Sequence, residues 1–167
     1  MIVAKRTGFQ ELSNEILSKG NNLRFRALGG SMHPFIKNGE VIEVKPASNL
    51  EIKVGDIVFY RANRGGMVAH RAIRKKIEKN KVILETKGDS VPRSDWWVYP
   101  EQILGKVVAI ERNGKRVELD KGLNKLTNLI CAKISPFSRW IYPIYRKIRR
   151  AVFFIRPKKE ISTKNHF

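Results

Sequence analysis

Apolar positions along this chain recur at helical spacing near its two ends and fall into short alternating or continuous runs between them. Phe9, Leu12, Ile16 and Leu17 share one face over residues 9–19. Glu11 and Glu15 lie in the earlier part of that stretch, Lys19 closes it and Gly20 follows, which predicts a short amphipathic helix with a stop. From Leu23 to Leu119 the pattern predicts strands at Leu23–Leu28, Val41–Val44, Asp56–Tyr60, Met67–Ile73, Val82–Glu85, Ile103–Glu111 and Arg116–Leu119. The last two flank Asn113-Gly114, a strong signal for a tight hairpin. After Lys121 helical spacing returns, with Leu123, Leu126, Ile130 and Ile134 running to Pro136, then Ile141, Ile144, Tyr145, Ile148, Val152 and Ile155. The expected organisation is a mainly β domain over residues 1–120, a helical appendage over 121–160 and a short tail over 161–167.

Charge alters the picture of the second helical stretch. The chain carries 34 Lys and Arg against 15 Asp and Glu, a net of +19, which points to a polyanionic neighbour. Residues 121–160 hold eleven of the basic side chains and one acid, Glu160, a net of +10. Two readings stand: a helical pair packed on the body with a solvated basic face, or a helix lying in the interface of an anionic membrane. On the second reading Trp140, Tyr142, Tyr145, Phe153 and Phe154 are anchors among basic residues that include Arg149 and Arg150. Nucleic acid is a weaker third partner and is not expected.

No stretch approaches the roughly 20 apolar residues of a spanning helix, and the start lacks an apolar core of signal-peptide length. The expectation is a protein of the cytoplasm or of the cytoplasmic face of a membrane. Cys131 is alone, so no internal disulfide can form. No metal or cofactor is expected, and nothing in the sequence speaks to an oligomeric state.

Chemistry concentrates in three places. Gly29-Gly30-Ser31-Met32-His33-Pro34 sets a serine on a tight bend, where two glycines free the backbone and Pro34 fixes it afterwards. His70 sits in the apolar run Met67–Ile73. Thr86-Lys87-Gly88-Asp89-Ser90-Val91-Pro92-Arg93-Ser94-Asp95 is a turn-rich loop with two aspartates six residues apart. Each alone reads as ordinary structure: a turn, a core histidine, a capped surface loop. Together they hold the parts of an acyl-transfer site, because a serine hydroxyl needs an adjacent base and an imidazole base needs a carboxylate to fix its tautomer. Of the three histidines, His33 is two residues from Ser31 and His166 lies in the tail, leaving His70 as the candidate base.

In order along the chain, Gly30-Ser31-Met32-His33-Pro34, Lys53-Val54-Gly55-Asp56-Ile57-Val58, Val68-Ala69-His70-Arg71-Ala72-Ile73, Thr86-Lys87-Gly88-Asp89 with Asp95, and Ile103-Leu104-Gly105-Lys106-Val107 resemble the boxes of the type I signal peptidase family, in its archaeal and endoplasmic-reticulum branch. The resemblance covers roughly residues 24–110. It implies a β-rich serine endopeptidase, on a scaffold shared with self-cleaving (SOS-type) repressors, that cuts an extended leader or propeptide after small residues. Carried over, Ser31 is the nucleophile, His70 the general base and Asp95 the first choice to orient it, with Asp89 as supporting acid or competitor. Gly29, Gly30, Met32 and Pro34 form the oxyanion and substrate loop. The Ser31 N–H would donate to the oxyanion; bacterial relatives add a hydroxyl donor two residues earlier, where this chain has Gly29. Typical members are tethered by an N-terminal spanning helix, in place of which this sequence begins with the short polar helix. The partner implied is a peptide or preprotein substrate. The alternative is a non-catalytic module on the same scaffold that binds membrane or nucleic acid.

Overall fold

The computed structural model of the chain describes residues 3–134, apart from 64, 80, 96, 120 and 121. Helix α1 spans Val3–Ser18, and strands follow at Leu23–Arg26 (β1), Val41–Pro46 (β2), Ile57–Arg61 (β3), Met67–Glu78 (β4), Lys81–Lys87 (β5), Trp97–Val98 (β6), Ile103–Arg112 (β7) and Lys115–Glu118 (β8), with helix α2 at Gly122–Ile134. The strands form one curled antiparallel sheet in the order β1-β2-β7-β3-β4-β5-β6, with β8 also on β7. The protein is mainly β. Trp140, Tyr145, Arg149, Arg150, Phe153 and Phe154, and with them most of the basic appendage, lie outside the described residues.

Strand β3 shows why the sheet is legible as a continuous apolar run. Ile57, Val58, Phe59 and Tyr60 are all buried, because successive side chains enter opposite faces and both faces are covered. Ile57 and Phe59 join a cluster with Leu17 of α1, Leu23, Ile42, Val44, Val107 and Ile110. Val58 and Tyr60 join a second with Ile52, Ala72, Leu84 and Val98. On the first face Phe9, Phe25 and Phe59 stack in series, with ring centroids 5.1 and 5.2 Å apart, and so fasten α1 to the sheet.

Strand β7 joins the two halves of the sheet. Its residues 105–111 pair with β2, while its other edge serves β3 first and then β8 through the Asn113-Gly114 turn. Both turn residues have positive φ, 52° and 71°, as the hairpin signal requires. Where β7 crosses β2 the backbones come so close that a Cβ on Gly105 would lie 2.3 Å from the Lys45 carbonyl oxygen.

Several boundaries differ from the sequence reading. Helix α1 begins at Val3 rather than near residue 9, where the run Ala4-Lys5-Arg6 consists of good helix formers that carry no apolar periodicity. Strand β4 runs five residues past Ile73 to Glu78. Residues 75–77 there are exposed, and backbone pairing to β5 carries them, so no apolar pattern marks the extension. Strand β6 and the 3-10 turn at Pro100–Gln102 are too short to leave a periodic signal.

Gly105→Ala is expected to lower stability by about 3 kcal/mol, the upper end of overpacking costs, because its contact is rigid backbone. Gly8→Ala in α1 has nothing within 4 Å of the new methyl and should stabilise by about 0.5–1 kcal/mol. Urea unfolding of both variants measures the contrast.

Candidate active site

The β1–β2 connection carries Ser31 and is closed at its base by paired backbone bonds, Ala27 N–H to Glu40 C=O and Gly39 N–H to Ala27 C=O, both 2.8 Å. Above that clasp Gly29 takes φ 101°, a conformation glycine adopts without strain, and its N–H donates to Asn38 Oδ1 at 2.8 Å. Met32 and Ile36 turn down into the core at 5% and 4% exposure, so the loop is anchored from below. The His33–Pro34 peptide bond is cis. Met32 both packs in the core and lines the neighbouring cavity.

Ser31 Oγ lies 3.0 Å from His70 Nε2, and His70 Nδ1 lies 2.5 Å from Asp95 Oδ2. Strand β4 holds His70 opposite Val58 of β3, so the imidazole stands on a paired strand rather than a loop. Asp95 is tied to the end of β5 through its own N–H, which donates to the Thr86 carbonyl at 2.7 Å. Its Oδ2 also accepts from Tyr60 Oη and Thr86 Oγ1, each at 3.0 Å. Burial works to raise the Asp95 pKa, but the hydrogen bond and charge of His70, with the Thr86 and Tyr60 hydroxyls, hold it below its ordinary value. Burial, reinforced by Asp95, pushes the Tyr60 phenol well up, so it stays a donor.

Asp89 is not part of this array. Its carboxylate takes Arg71 Nε at 2.8 Å and Nη2 at 2.7 Å in a two-pronged pair. Arg71 is fully buried, and its Nη1 also donates to the Gly55 carbonyl at 2.9 Å and to Asn128 Oδ1 of α2 at 2.8 Å. His70 and Arg71 are consecutive on β4 and face opposite sides of the sheet, which sends one aspartate to each. Lys87, 2% exposed, lies nearby; burial pulls its pKa down against the opposing pull of Asp89 and Asp95.

The loop between the aspartates presses on the serine loop. Ser90 N–H donates to the Ser31 carbonyl at 2.9 Å, and Ser90 Oγ donates to the Gly30 carbonyl at 2.6 Å. A Cβ on Gly88 would lie 2.7 Å from the Ser31 carbonyl oxygen, so only glycine fits there. Tyr60, Thr86, Gly88 and Ser90 were not singled out from sequence; the Thr-Lys-Gly-Asp-Ser run was the one signal that touched three of them.

Beside Ser31 and His70 opens a cavity of about 660 Å³, walled by apolar side chains that include Phe9, Phe25, Met32, Phe59 and Met67. Among the described residues no three His, Cys, Asp or Glu side chains gather as a metal site. Nor is any helix among them long and apolar enough to cross a membrane.

Comparison with known proteins agrees with this architecture. Over 76 residues the chain is 34% identical to the signal peptidase complex catalytic subunit SEC11 of Scheffersomyces stipitis and 33% identical to that of Candida tropicalis. Each alignment covers 45% of this chain and 45% of the relative, so the match takes in less than half of either protein. No family model matches the chain, and no solved structure matches it. These alignments support a relationship to the type I signal peptidase family, and the mainly β sheet is consistent with a β-rich domain of that kind. Both relatives are, by name, the catalytic subunits of a signal peptidase complex.

Asp89→Asn leaves a buried guanidinium without its counter-charge and should cost about 3–5 kcal/mol in urea unfolding. Asp95 acts in a different pH window. Its folded pKa lies below its unfolded value of 3.8, so its contribution is complete above that value and is lost as pH falls through the lower one. Asp95→Asn should therefore flatten the fall in stability below about pH 4, measured by urea unfolding across pH.

Proposed function

We propose that this chain is a serine endopeptidase of signal-peptidase type, with Ser31 as nucleophile, His70 as general base and Asp95 as the acid that orients the base. The observation that carries the reading is the unbroken line from Ser31 Oγ through both ring nitrogens of His70 to Asp95 Oδ2, 3.0 and 2.5 Å long. In that line His70 Nε2 accepts the serine proton as Oγ bonds to the scissile carbonyl carbon. Nδ1–H stays on the Asp95 carboxylate, which stabilises the imidazolium. The imidazolium then gives its proton to the leaving amine, the peptide C–N bond breaks, and an acyl-serine ester remains. A water molecule, deprotonated by the same histidine, hydrolyses the ester and returns the proton to Ser31.

Asp89 serves as the partner of Arg71, not as a second orienting acid. An extended peptide, the leader or propeptide of a preprotein cut after a small residue, would lie along the cavity beside Ser31. The Ser31 N–H would donate to the oxyanion; the Gly29 N–H is engaged by Asn38 and is not the second donor. The domain over residues 1–120 would carry the chemistry. The basic segment over 121–160 would hold it peripherally on an anionic membrane, a role the local net charge of +10 supports.

Wild type and Ser31→Ala, incubated with a library of extended peptides with and without anionic liposomes and read by mass spectrometry, test the proposal. Ser31→Ala should lose at least about a thousandfold in cleavage rate, as removal of a triad nucleophile does. Its unfolding free energy should stay within about 0.5 kcal/mol of wild type, since a half-exposed loop hydroxyl adds little to stability. Full activity in the variant would overturn the proposal.

A further inference from the structure

Two successive peptide groups flank the Ser31 α-carbon, and both carbonyls are taken by one residue. The Gly30 carbonyl accepts from Ser90 Oγ at 2.6 Å and from His33 N–H at 3.1 Å. The Ser31 carbonyl accepts from Ser90 N–H at 2.9 Å. In a trans peptide the C=O and N–H point in opposite directions across a rigid plane. A hydroxyl that pulls the Gly30 oxygen toward the 88–91 loop therefore turns the Ser31 N–H away from that loop. The cavity wall includes Gly29, Ser31 and His70 but no residue of 88–91. Among the described residues the Ser31 N–H meets no acceptor, which leaves it available to a ligand.

We propose that Ser90 is a positioning residue, whose hydroxyl sets the Gly30–Ser31 peptide plane so that the Ser31 N–H faces the cavity as the oxyanion donor. The proposal rests on the reading of Ser31 as nucleophile. Such a donor contributes only if it is aimed at the developing charge beforehand, so the residue that aims it acts on the chemical step and not on substrate affinity. Ser90 is chemically suited to this, because its hydroxyl donates to one carbonyl while its backbone N–H donates to the next, and Gly88 lets the loop come close enough for both. Substituting the side chain removes the first bond and leaves the second.

The experiment uses the full chain as wild type, Ser90→Ala and Ser90→Thr, with kcat and KM on a peptide the wild type cleaves and the ¹H–¹⁵N signal of the Ser31 amide from serine-labelled protein. Ser90→Ala is expected to lose about 10- to 100-fold in kcat, short of the 10²–10³-fold loss from deleting a donor outright, with KM within about twofold of wild type. The Ser31 amide signal should move, and Ser90→Thr, which restores the hydroxyl, should bring back both rate and signal. A role in packing alone would lower thermal stability without this split and without rescue by threonine. Unchanged kcat in Ser90→Ala, or a loss of kcat with the Ser31 amide unmoved, would overturn the proposal. If the wild type cleaves nothing, it is the proposed function that falls; an amide signal that moves in Ser90→Ala and returns in Ser90→Thr still upholds the positioning, and an unmoved one overturns it.

Discussion

The buried pair of Arg71 and Asp89 is the contact on which the rest of the site is hung. A guanidinium with no exposure to water is costly unless its fork of donors is matched, and here all three of its nitrogens donate to acceptors. Two donors go to Asp89, one nitrogen serves both the turn before β3 and Asn128 of α2, and the plane lies 4.5 Å from the centre of the Phe35 ring. Asn128 in turn donates to the Leu119 carbonyl at 2.8 Å, tying α2 to the end of β8. One side chain thus joins the acid loop, the serine loop, the sheet and the second helix. It draws four separately encoded segments to one point, and its desolvation cost is why none of the four can drift.

The division of labour between the two aspartates follows from strand geometry. Consecutive residues on β4 face opposite sides, so the dipeptide His70-Arg71 presents an imidazole to one side of the sheet and a cation to the other. The loop after β5 meets both: Asp89 binds the cation and Asp95, six residues on, binds the imidazole. Tyr60 and Thr86 then converge on the same oxygen of Asp95, which fixes the carboxylate in position as well as in charge.

Much of this was legible in the residues, and the rest was hidden for physical reasons. Apolar alternation and turn chemistry are local, so the strand order along the chain, the Asn113-Gly114 hairpin and the exposed bend at Ser31 could be read directly. Strand β3 was visible because both its faces are covered. The spacing of Asp89 and Asp95 could not say which faces His70, because that depends on how the loop crosses β4, a tertiary matter. Tyr60, Thr86, Ser90 and Asn128 act through hydrogen bonds to residues 9 to 60 positions away, and a polar side chain in a strand, loop or helix carries no mark of such a partner. The far end of β4 was hidden because its backbone bonds, not its side chains, hold it in the sheet.

The separations along the chain have a consequence of their own. Ser31 meets His70 across 39 residues, His70 meets Asp95 across 25, and Ser90 meets Gly30 across 60. Each contact closes a long loop, so none can persist as a local fragment ahead of the sheet. The Ser31–His70–Asp95 line therefore exists only in the completed fold and is lost with it. On the proposed reading, a newly made or heat-opened copy of this chain would hold a serine with no base within reach until the whole molecule has closed.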